Sequence, residues 1–111
     1  MPVAATKSSE RTKHRGSNWS RDEIILAFAC YREIGKVPEE HDTRVVRIAE
    51  VIHRTPDAVV YKIANLRFLD TRGKRGFEHI GQMDKKVWSE FKEKDDKLRH
   101  EAERVLEALG G

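Results

Sequence analysis

The side chains equipped for chemistry on another molecule fall into three sets. The first is the histidines and the lone cysteine. His14, His41, His53, His79 and His100 are scattered, and no two stand at the i, i+3 or i+4 spacing that puts two metal ligands on one helical face. Cys30 is the only cysteine, so neither an internal disulfide nor a cysteine zinc site is available. It lies in an apolar run, which predicts a small core residue in a reducing compartment. The second set is polar and follows Thr55-Pro56. With Val59, Ile63 and Leu66 turned inward, 100° per residue assigns Ala58, Tyr61, Lys62 and Asn65 to the outward face. An asparagine can pair with adenine in a major groove, and a lysine can reach guanine or a phosphate. Thr55 and Asp57, at the start of the same helix, are further candidate DNA contacts. The third set is cationic: Arg67, Arg72, Lys74 and Arg75 follow and suit a phosphate backbone.

The formal net charge is +3, too small to identify an anionic partner by itself. Its distribution says more. Lys7, Arg11, Lys13 and Arg15 face only Glu10, and Lys62, Arg67, Arg72, Lys74 and Arg75 face only Asp70. Two basic patches on a chain otherwise slightly acidic point to a nucleic acid. No glycine-rich phosphate loop follows a strand pattern, and the carboxylates mostly occupy polar helical faces. These observations predict a chain that is not an enzyme and has no metal and no cofactor. No segment approaches a membrane span, and the polar N-terminus has no apolar signal region, so the expected location is the cytoplasm.

The elements that must position these residues are helical. Residues 1–18 read as a disordered basic arm and residues 19–111 as one helical domain. Ser20 and Glu23 have the spacing of a capping box, with Trp19 placed before it as a hydrophobic staple on Ile24. The run from Ile24 to Tyr31 is apolar on nearly every side and must be covered on more than one face. Gly35 and Pro38 stop that helix. Asp42 or Thr43 caps a second, whose buried stripe is Val45, Ile48, Ala49 and Ile52. Thr55 caps a third, with Pro56 in its first turn. Residues 71–81, with three glycines, read as a loop pinned by Phe77 and Ile80. One long helix is expected over residues 84–109, its apolar stripe interrupted at Lys94-Asp95.

The fold class is therefore all-α, a helix-turn-helix three-helix core plus a long C-terminal helix. The helix-turn-helix covers about residues 44–70. Ala49 supplies the small residue where two helices cross, Val59 locks their angle, and Ile48 and Ile52 tie the pair to the first helix. His53 takes the turn position that often carries glycine, and histidine tolerates positive φ better than most residues.

The segment W-S-R-D-E-I-I-L-A, the helix T-P-D-A-V-V-Y-K-I-A-N-L-R-F-L-D and the later D-K-K-V-W-S-E-F resemble the N-terminal domain that precedes HNH-type endonuclease domains in bacterial and phage proteins. The resemblance implies a nucleic-acid-facing accessory domain that helps select modified or foreign DNA. It implies no cleavage by this chain, because the nuclease part needs its own His and Asn residues after this domain. The expectation is a duplex DNA-binding module without catalytic activity. The alternative is a protein-interaction module working through the C-terminal helix, as a homodimer or as an accessory subunit of a nuclease or regulator. Phe91, Leu98 and Val105 lie seven apart, as do Ala102 and Leu109, which suits a helix–helix seam.

Overall fold

A computed structural model describes residues 19–72 and 80–110. Among them are five α-helices and no strand: α1 (Arg21–Ile34), α2 (Thr43–Ile52), α3 (Pro56–Asp70), α4 (Gln82–Phe91) and α5 (Asp95–Ala108). The arm of residues 1–18 lies outside the described residues, as do Lys74, Arg75 and Phe77.

The local signals act where the sequence places them. The Ser20 hydroxyl accepts from the Glu23 N–H at 3.2 Å, and the Glu23 carboxylate accepts from the Ser20 N–H at 2.9 Å. That closes the capping box at the start of α1. Gly35 ends α1 in the left-handed region at φ 85°. Asp42 caps α2, Thr55 caps α3, and Pro56 sits in the first turn of α3. His53 terminates α2 at φ 61°, ψ 43°. The left-handed residue lets the chain reverse within residues 53–55, so α3 folds back against α2.

α1 is the axis of the molecule. Ile24, Ile25, Leu26, Ala27, Phe28, Cys30 and Tyr31 are all buried, because α1 packs against each of the other four helices. Val45, Ala49 and Ile52 come in from α2, and Val59, Ile63 and Leu66 from α3. Val87 and Phe91 come from α4, and Leu98, Ala102 and Val105 from α5. The Phe28 and Trp88 rings stack with centroids 5.2 Å apart. Cys30 is a buried core residue, and desolvation pushes its thiol up to about 11.

The single C-terminal helix expected over residues 84–109 is instead two, and the chain turns at Lys92, Glu93 and Lys94. No apolar residue lies between Phe91 and Leu98, so a continuous helix would lose nothing by breaking there. Phe91 before the turn and Leu98 after it both reach the core, at 0% and 1% exposure. Arg32 stabilises the turn by donating to the Lys92 carbonyl at 3.0 Å, one of the carbonyls a helix end leaves without an internal partner. Asp95 and Asp96 then stand in the first turn of α5, where the helix dipole favours negative charge. The remaining cover of α1 is thus shared between α4 and α5.

Candidate nucleic-acid interface

The site is built on α3, and its direction follows from the buried stripe. The point opposite Val59, Ile63 and Leu66 falls between Asp57, Tyr61 and Phe68. Asp57 is exposed and Tyr61 is 45% exposed, while Phe68 is only half-exposed. Thr55 is exposed at the start of the helix, where its hydroxyl accepts from the Ala58 N–H at 3.1 Å. Ala58 is half-exposed beside it.

Lys62 and Asn65 are not on that face. They lie on the flank that α4 covers. The Lys62 ammonium donates to both Asp84 oxygens at 3.0 Å, with side-chain exposures of 14% and 2%. Asp84 also accepts from the Gly81 N–H at 3.2 Å, so one carboxylate closes the start of α4 and holds it to α3. Lys62 further lies over the Trp19 ring, 5.2 Å from its centroid. Asn65 is 2% exposed, with its Oδ1 buried and making no hydrogen bond. Neither side chain is available to a groove. Tilting the outward face by some 60° toward α4 makes them look like readers; the buried stripe turns it the other way.

The Trp19 ring also lies under the Arg54 guanidinium, 4.7 Å from centroid to Cζ. Arg54 donates to Glu23 at 3.0 Å with its side chain 5% exposed. The α2–α3 turn is thereby fastened to the start of α1. Trp19 itself is half-buried against the core.

The end of α3 is fastened similarly. The Tyr31 hydroxyl donates to Asp70 at 2.6 Å, and Arg32 approaches Asp70 at 3.6 Å and Asp95 at 3.4 Å. Burial, then the hydrogen bond and charge of Asp70, push the Tyr31 hydroxyl up to about 12. Arg67 is half-exposed, and Arg72, two residues past the helix, is exposed at φ 57°.

The electrostatics of α3 are polarised along its length. At its start, Asp57 shares a hydrogen bond with Glu40, which raises the Glu40 carboxyl above its ordinary range. At its end, Arg67 and Arg72 are cationic. Sequence reasoning misses Asp84, Arg54 and Glu23 as partners, because each acts across elements. The one signal in the sequence for Asp84 is its place three residues after Gly81, the capping-box position of α4.

Among the described residues, no group of three or more His, Cys, Asp or Glu side chains is placed to hold a metal ion. No described helix is long and apolar enough to cross a membrane. No family model, curated protein or solved structure matches the chain.

Proposed function

We propose that this chain is a non-catalytic duplex DNA-binding module in which α2, the turn at residues 53–55 and α3 act as a helix-turn-helix. The observation that carries the reading is the exposure of Asp57 and Tyr61 on the outer face of the first half of α3, on a two-helix unit whose opposite side is locked into the core. In such units the first residues of the second helix meet base edges in the major groove. Asp57 can accept from a cytosine amino group, the Ala58 methyl can meet a thymine methyl, and the Tyr61 hydroxyl can donate or accept. Arg67 and Arg72, with Lys74 and Arg75 further along the sequence and the cations of residues 7–15, supply backbone contacts. The resemblance to the domain ahead of HNH-type endonucleases supports an accessory role in choosing modified or foreign DNA for a nuclease.

The rival seam on the C-terminal helix is engaged inside the molecule. Leu98, Ala102 and Val105 are buried, and of the apolar residues of α5 and its end, half-buried Leu106 and exposed Ala108 and Leu109 remain outward. A protein partner therefore has less to hold than the heptad spacing suggests.

The test is selection of bound duplexes from a random pool, with and without methylated bases, followed by the Tyr61→Ala variant. That variant should lose roughly 1–3 kcal/mol on the selected site and little on random duplex, with the salt dependence unchanged. Equal binding of both duplexes by wild type and variant would remove α3 as the reader.

A further inference from the structure

We infer that the outer face of α4 is a phosphate-contacting ridge for duplex DNA, an inference that rests on the DNA-binding reading. Gln82, Lys85, Ser89 and Lys92 follow one another at i, i+3, i+7 and i+10, so they form one stripe along the helix, and all four are exposed. Lys86 lies beside them, also exposed. Lys85, Lys86 and Lys92 take part in no ion pair with a described residue. The neighbouring carboxylate, Glu90, is held by Arg21 at 2.6 Å, which leaves exposed Glu93 as the acid at the far end of the stripe. The opposite face of the helix is fixed by Asp84, Val87 and Phe91 in the interior, so the stripe cannot turn inward.

Three facts favour a duplex backbone as the occupant. The stripe bears a hydrogen-bond donor at each of its four positions, with three exposed lysines on or beside it, whereas the start of α3 sets the Asp57 and Glu40 carboxyls together and offers phosphate no cation. Base contacts from the start of α3 thus require a backbone grip elsewhere. The Lys62–Asp84 pair sets α4, with its exposed lysines, alongside α3, the proposed reader. Finally, Lys85 to Lys92 spans about 10 Å of helix, long enough for the flexible lysines to reach two or three neighbouring phosphates of one strand.

The experiment compares wild type with the triple variant Lys85→Gln, Lys86→Gln, Lys92→Gln on duplexes of about two helical turns, recording affinity against salt concentration. Each lost phosphate contact should lower the log–log slope by about 0.9, so the variant should be shallower by roughly 2–3. Affinity should fall by the same factor on selected and random duplex. The far-ultraviolet circular dichroism should stay unchanged, since all three side chains are exposed. Restoring charge with arginine at the three positions should restore the slope. A variant that keeps the wild-type slope and affinity overturns the ridge while the DNA reading stands, as does failure of the arginine variant to recover. If the wild-type chain binds no duplex at low salt, the DNA reading itself falls, and the ridge with it.

Discussion

Lys62 and Asn65 show how one turn of helix can be right in type and wrong in role. Both are polar residues on α3, yet one anchors Asp84 and the other is buried. Removing one partner of a buried ion pair leaves the other charge without compensation. Lys62→Ala or Asp84→Ala should therefore each cost about 3–5 kcal/mol, read from the urea midpoint. Asn65→Ala should act on stability, with no selective effect on a preferred DNA site. The inner stripe of α3 is legible from sequence because three branched apolar residues recur at helical spacing. The flank is not legible. A polar residue well off the buried axis goes in or out according to whether a later helix covers it, and nothing in residues 56–70 says where α4 will lie. Tyr31 gives a second test at this scale. Its hydroxyl is held neutral to about pH 12, above the usual value of 10.0, so its contribution to stability is complete below pH 10 and is lost as pH rises toward 12. Tyr31→Phe should be less stable by about 1 kcal/mol at neutral pH, and the gap to wild type should close across that alkaline window.

The helix boundaries are mostly written locally, which is why they can be read. Ser20 with Glu23, Asp42, Thr55 with Pro56, and Gly35 each mark a terminus through a side chain or a φ preference acting within four residues. Thr55→Ala should destabilise the chain by about 1 kcal/mol in thermal melts, because the Ala58 N–H loses its acceptor. His53 sits in the left-handed region at φ 61°, where a side chain is strained. His53→Gly should be neutral or stabilising by up to about 1 kcal/mol, and His53→Val should be clearly destabilising. The break between α4 and α5 is marked locally only by the interruption of the apolar stripe at Lys94-Asp95, with no capping side chain. Its long-range partner is Arg32, sixty residues earlier in the chain, which donates to the Lys92 carbonyl.

At the scale of the whole molecule, α1 is the surface on which everything else assembles. The apolar run along its length already implies cover on several sides, although not which helix supplies which side. Phe28→Ala removes a ring packed between helices and stacked on Trp88, and should cost about 3–5 kcal/mol. With every helix resting on α1, unfolding should remain one transition in the variant, with helix content and tryptophan fluorescence changing together. The same centrality bears on how the chain is made. The helix that covers α1 most extensively is α5, and roughly 70 residues separate the end of one from the end of the other. At about 5–20 residues per second, an apolar helix must wait some 4–15 s on the ribosome for its largest partner. During that interval the nascent chain displays Ile24, Ile25 and Phe28 to whatever binds exposed hydrophobic segments. Slowing translation within α5 should therefore lower the yield of soluble protein more than slowing it within the arm, although the finished molecule would be identical.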